Sequence, residues 1–162
     1  MNLKRLNKEE FTKLVGKAND SKINQNHLIF RFLNFDFDPE SITKKLGLKP
    51  QSTGQKGDKY LIGYQKKITT VRKCSHWEYE LKINSNDFIG DLIEKFFKEI
   101  IIPRLNLIKE IGQHCETVRF IIIQYYYIGH NPGYQFEKKQ IKILAEIGAE
   151  VDMDIYCLCE DK

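Results

Sequence analysis

The run T-V-R-F-I-I-I-Q-Y-Y-Y-I, from Thr117 to Ile128, is the most apolar stretch of the chain, and its reading decides the fold. β-Branched and aromatic residues dominate it, and Gly129, Pro132 and Gly133 end it abruptly, so the expectation is a β-strand rather than a helix. Taken alternately, Val118, Phe120, Ile122, Tyr126 and Ile128 face one way and Ile121, Ile123, Tyr125 and Tyr127 the other. Both faces are apolar, which predicts a central strand, with helices over one face and loops, a hairpin or a second subunit over the other.

Working outward, the segment before this strand carries Phe88, Ile89, Leu92, Ile93, Phe96, Phe97, Ile100 and Ile101 at helical spacing. This long helix is expected to be capped by N-S-N-D, kinked at Pro103 and continued through Leu105, Ile108 and Ile111 to Gly112. After the strand, residues 136–147 predict a helix with Ile141, Leu144 and Ile147 inward and Gly148 as its cap, followed by a strand over 150–158. Earlier, His76 to Ile83 alternates with Trp77, Tyr79, Leu81 and Ile83 on one face, which must be buried. A hairpin is expected over 60–72, and a helix opened by Asp38 and Pro39 and ended by Gly47 follows a first strand over 27–37. Residues 7–18 predict a short amphipathic helix on a polar linker. The domain plan is therefore a helical appendage over 1–25 and one α+β domain over 26–162. In it, two strand-helix-strand units joined by the long helix form a mixed β-sheet with helices packed on it.

The length suffices for one domain with a real core, without disulfides or metals. The N-terminal residues lack the apolar segment of a secretory signal, and no run approaches the ~20 apolar residues of a membrane span, so a cytoplasmic protein with no membrane contact is expected. Cys74, Cys115, Cys157 and Cys159 contain no C-x-x-C pair, and Cys157 and Cys159, two apart on one strand face, read as thiols rather than metal ligands. Charge is segregated. Residues 49–73 carry Lys49, Lys56, Lys59, Lys66, Lys67, Arg72 and Lys73 against Asp58 alone, whereas 146–162 is strongly acidic.

Catalytic signals are thin. Asp152 and Asp154 share a strand face and are the one candidate for a divalent cation, but a third ligand is missing and hard cations want about six oxygens. S-T-G-Q-K-G-D, from Ser52 to Asp58, has phosphate-binding residue types without P-loop spacing. His76, with Cys74 and Glu78 at alternate positions, reads as a strand edge, and Cys115 beside His114 cannot face it within a strand. No cofactor is expected. The basic residues Lys56, Lys59, Lys66, Lys67, Arg72 and Lys73 are the candidate partner-binding set, with Trp77 either in the core or lining a cleft beside them.

The run F-D-P-E-S-I-T-K-K-L-G-L-K-P from Phe37 to Pro50, the K-G-D at Lys56 to Asp58, Trp77, L-A-E-I-G-A and the terminal V-D-M-D-I-Y together resemble a bacterial domain-of-unknown-function family, number 4279. The resemblance covers residues 26–158 and implies a small α+β domain, with no activity to carry over. Three function classes follow. The first is a non-enzymatic protein that binds another protein through an acidic surface on that partner, in the manner of bacterial immunity or adaptor proteins. The second is a nucleic-acid binder through the basic hairpin 49–73, and the third a metal-assisted enzyme using Asp152 and Asp154.

Overall fold

The computed structural model describes residues 23–62, 68–127 and 133–158. The expected helix over 7–18, the hairpin tip with Lys66 and Lys67, the G-H-N-P turn and Cys159 lie outside these. In chain order the elements are β1 (Gln25–Leu33), α1 (Pro39–Leu46), β2 (Ser52–Gly54), β3 (Lys59–Ile62), β4 (Ile68–Val71), β5 (His76–Asn84), α2 (Ile89–Phe96), α3 (Leu105–Gly112), β6 (Thr117–Tyr126), α4 (Lys138–Glu146) and β7 (Ala149–Cys157). Five strands form a mixed sheet in the order β2-β5-β1-β6-β7, and β3 and β4 form a separate two-stranded sheet. The fold is α+β.

The apolar run is an interior strand, but β1 rather than β6 holds the middle position, pairing antiparallel with both β5 and β6. β6 pairs in parallel with β7 across the α4 crossover. The two strand-helix-strand units therefore differ in topology: the first returns antiparallel, after the β3–β4 hairpin, and only the second is a parallel crossover.

Why one face of the sheet is dry follows from the register. Phe30 lies opposite Phe120 and Phe32 opposite Trp77, so the even positions of β1 and β6 meet the odd positions of β5 on one side. These join Ile42 and Leu46 of α1, Ile93 and Phe96 of α2, Ile108 and Ile111 of α3 and Leu144 of α4 in a single cluster. Aromatic packing dominates it, with Phe97 edge-on to Phe120 at 5.4 Å and Phe30 edge-on to Phe32 at 5.2 Å. The other face carries Ile29 and Ile121, both buried, between an ion pair of Arg31 with Glu78 and a hydrogen bond linking the His27 ring to the Glu80 carboxyl. At the end of this core, Gln124 donates to the Asn26 side chain (2.8 Å), which donates to the Ser85 carbonyl (3.2 Å), and Tyr134 donates to Gln124 (2.6 Å). Burial pushes the Tyr134 phenol well above its usual pKa and keeps it a donor.

Local chemistry accounts for the helix ends. Asp38 accepts from the Glu40 amide at 3.0 Å, Pro39 opens α1, and Gly47 closes it in the left-handed region at φ 61, where its amide returns to the Thr43 carbonyl. The expected N-S-N-D cap of the long helix does not form. Phe88 holds the N-cap position without a side-chain bond, because Asn86 accepts from the Asn24 amide at the entry to β1 instead. In α4 the inward stripe is Gln140, Ile143, Leu144 and Ile147, and Ile141, expected inward, is exposed. Between α2 and α3 the helix passes through a π-turn at Phe97–Ile101 and a 3-10 turn at Ile102–Arg104. Pro103 has no amide to return, and Arg104 supplies donors in its place, to the carbonyls of Glu99 (3.0 Å) and Ile100 (3.1 Å) and to that of Leu46 in α1 (2.8 Å). Among the described residues no helix is long and apolar enough to cross a membrane.

Candidate functional site

The basic middle of the chain folds around Arg72. β2 pairs with the start of β5, setting Gly54 opposite His76 and Ser52 opposite Glu78. The following turn is closed by Asp58, whose side chain accepts from the Gln55 amide at 2.7 Å, and its Gly57 amide donates to the Arg72 carbonyl at 3.0 Å. S-T-G-Q-K-G-D is thus a strand and a turn whose amides at Gln55 and Gly57 are already engaged, not a phosphate cradle. The Arg72 guanidinium lies 4.5 Å over the Tyr60 ring, with Nη1 3.4 Å from His76 Nδ1. It presses on Gly54 so closely that a Cβ there would fall 2.2 Å from Arg72 Nε, and glycine leaves that space open.

His76 Nε2 stands 2.9 Å from Ser52 Oγ, the spacing of a nucleophile and its base. The electrostatics run the other way. Guanidinium only donates, so the Nδ1 atom beside Arg72 must accept, which assigns the ring proton to Nε2 and makes the Ser52 hydroxyl an acceptor. Burial, then the Arg72 charge, lowers the His76 pKa against the raising influence of Glu78, so the ring is neutral and Ser52 has no base. The Cys115 thiol is likewise pushed up to about 12 by burial and donates to the Ile111 carbonyl at 3.3 Å, so it is not a thiolate at neutral pH. On β7, Glu150 accepts from Arg119 at 2.7 Å, and Asp152 lies 3.6 Å from the same guanidinium. Among the described residues no three His, Cys, Asp or Glu side chains are grouped to hold a metal ion.

Four connections at one end of the sheet border an open cleft of about 800 Å³. Lys56 from the turn after β2, and Lys73 and Ser75 from the β4–β5 connection, line one part of it. Asn34 and Asp36 after β1, and His114 and Glu116 before β6, line the rest. Asn34 is the single described non-glycine residue with positive φ, at 52°, a conformation that asparagine tolerates best. It is held there from both sides: its amide donates to the Ser75 carbonyl (2.9 Å) and its side chain to Glu116 (2.5 Å). The Ser75 hydroxyl in turn accepts from the Lys56 amide at 3.2 Å, tying the basic turn to the cleft. Two cations and two carboxylates thus line one polar cavity.

Of the residues expected from sequence, Lys56 and Lys73 come together in this cleft. Lys59 is exposed on β3, opposite Val71. Arg72 is turned inward, and Lys66 and Lys67 lie outside the described residues. Trp77 is wholly buried, with Nε1 donating to Thr43 Oγ1 at 3.1 Å, which leaves it no surface to present to a ligand. Sequence reasoning missed Asn34, Asp36 and Glu116. The available signal was an N-x-D directly after a strand, at a place where loops gather at the strand ends.

A family model described as Domain of unknown function (DUF4279) matches residues 22–158, a span that includes every strand and helix named above. No curated protein matches the chain, and no solved structure does.

Proposed function

This chain belongs to the DUF4279 family, and from that premise we propose that it is a non-enzymatic macromolecule-binding protein of the immunity or adaptor type, acting in the cytoplasm, whose polar cleft engages another protein. The observation that carries this reading is the convergence of Lys56 and Lys73 with Asp36 and Glu116 in one cavity. Mixed charges at close quarters suit a protein segment that presents acidic groups to the lysines and basic or amide groups to the carboxylates. They suit a polyanion poorly, because each phosphate drawn to Lys56 or Lys73 also meets Asp36 and Glu116. The inverted Ser52–His76 pair and the protonated Cys115 argue against nucleophilic catalysis at the groups closest to such chemistry.

Two measurements test the proposal. Random DNA and RNA oligonucleotides, followed by fluorescence anisotropy across a salt series, are expected to bind no tighter than ~10 μM at physiological salt, the ordinary non-specific range. Affinity capture compared between the wild-type chain and a Lys56→Glu/Lys73→Glu variant should yield a partner with an acidic surface that the variant loses, and Lys66→Glu/Lys67→Glu should weaken the same complex. Submicromolar nucleic-acid affinity that falls steeply with salt would overturn this reading in favour of the nucleic-acid one.

A further inference from the structure

Among the described residues, the edge strand β7 is open along its length. No described strand pairs with its outer side, and every residue from Glu150 to Cys157 is exposed. The Leu158 amide donates to the Tyr126 carbonyl at 2.8 Å. Backbone direction alternates along a strand, so Asp152, Asp154 and Tyr156 turn their amides toward β6, whereas those of Val151, Met153 and Ile155 point outward. The outward residues are also the apolar ones, 41%, 47% and 40% exposed. The intervening side chains are Glu150, Asp152 and Asp154, then Tyr156 stacked on Tyr125 at 4.8 Å. Arg119 serves both Glu150 and Asp152, and among the described residues Asp154 has no ion-pair partner. Neither proline nor lysine lies on this edge, and the charges it carries are all acidic.

We infer that β7 accepts an added strand from a protein partner, a segment in which lysine or arginine alternates with β-branched or aromatic residues. The carboxylates select this occupant against a second copy of the chain. In an antiparallel two-fold pairing of β7 with itself, outward-pointing odd residues must bond to odd residues, so even positions always meet even ones. Registers centred anywhere from Glu150 to Asp154 then set carboxylate opposite carboxylate at the non-hydrogen-bonded positions, where side chains lie closest, and one centred on Ile155 still leaves the two Asp154 side chains diagonal to each other. A strand with cations at those positions reverses the sign of each contact and keeps the backbone bonds and the apolar contacts with Val151, Met153 and Ile155. This surface lies on a different strand from the cleft and does not depend on the cleft's role.

The test uses the full chain and a fluorescein-labelled peptide, as long as β7, in which valine and lysine alternate. Anisotropy should show binding that weakens as salt rises. A peptide of the same composition with its lysines blocked together should not bind, nor should one alternating valine and glutamate. Met153→Pro removes an outward amide that β6 does not use, a substitution edge strands tolerate, and it should abolish binding while circular dichroism and melting stay native. Asp154→Lys, at an exposed position, should weaken binding roughly tenfold by turning attraction into repulsion; if the proline variant fails to fold, this variant and the blocked peptide decide. Failure of the alternating peptide to bind, equal binding of the blocked peptide, unchanged binding in Asp154→Lys or in a folded Met153→Pro, or a wild-type dimer that Met153→Pro dissociates would each overturn the inference.

Discussion

Replacing Arg104 by methionine tests the account of how the helical crossover survives its proline. The guanidinium donates to three carbonyls, those of Leu46, Glu99 and Ile100, and so ties the end of α1 to the break between α2 and α3. Hydrogen bonds from a charged donor contribute about 1.5–3 kcal/mol each when protected. The Glu99 bond is exposed, so water replaces it at little cost, whereas the Leu46 and Ile100 bonds are partly buried and count at the low end of that range. Methionine keeps the aliphatic stem, so the loss should be about 2–3 kcal/mol from the donors alone. In urea melts with a slope of about 2 kcal/mol per molar, the midpoint should fall by about 1–1.5 M with the slope unchanged. Arg104→Lys retains the charge near the helix ends but cannot reach three carbonyls with one ammonium, and should recover less than half of the loss. A loss below about 0.5 kcal/mol for methionine, far under that hydrogen-bond range, or full rescue by lysine, would refute the claim that the fork geometry holds the break together.

Trp77→Ala should cost about 3–5 kcal/mol in denaturant melts through the cavity it leaves beneath β1, and Thr43→Val about 1 kcal/mol through the orphaned indole donor; a tryptophan loss under about 1 kcal/mol would contradict its place in the core. His76 sets a pH dependence. Its pKa in the folded chain lies below the ordinary 6.5, so on acidification the unfolded chain takes up the proton first, and the contribution present above pH 6.5 is lost as the pH falls toward the folded value. Stability measured from pH 8 to pH 5 should therefore fall more steeply for the wild type than for His76→Asn, and equal slopes would remove the buried, Arg72-facing ring from the account. Calorimetric titration with manganese, magnesium or calcium should show no micromolar site at Asp152 and Asp154, since Arg119 already serves Asp152; binding abolished by Asp152→Asn would revive the metal-assisted reading.

Much of the α+β fold was legible because the decisive interactions are local. Asp38, Pro39 and Gly47 bound α1 within one segment, and the alternation of Trp77, Tyr79, Leu81 and Ile83 records which face of β5 is dry. Where a second segment competes for the same group, local reading fails. Asn86 has the chemistry of a helix cap, but the Asn24 amide at the start of β1 takes its side chain. Pro103 announces a break, yet nothing in its neighbourhood says that Arg104 repairs it or that the repair reaches Leu46. In α4, Leu144 and Ile147 face inward as expected, but Ile143 rather than Ile141 joins them, since the two are equally apolar and only the sheet decides which faces it.

The sequence by itself determined that the chain forms an α+β domain around an apolar interior strand, with a basic middle and an acidic end, because period, caps and charge counts are properties of neighbours. It could not determine that β1 rather than β6 takes the centre, since two strands with comparably apolar faces are ranked only by which of them pairs on both sides. Nor could it convert six basic residues into a site. Charge along a chain has a sign but no direction, and folding turned Arg72 inward onto Tyr60 and His76 while bringing Lys56 and Lys73 beside Asp36 and Glu116 from distant loops. That convergence exists only where the strand ends meet, which is a matter of strand order and register and therefore of tertiary structure alone.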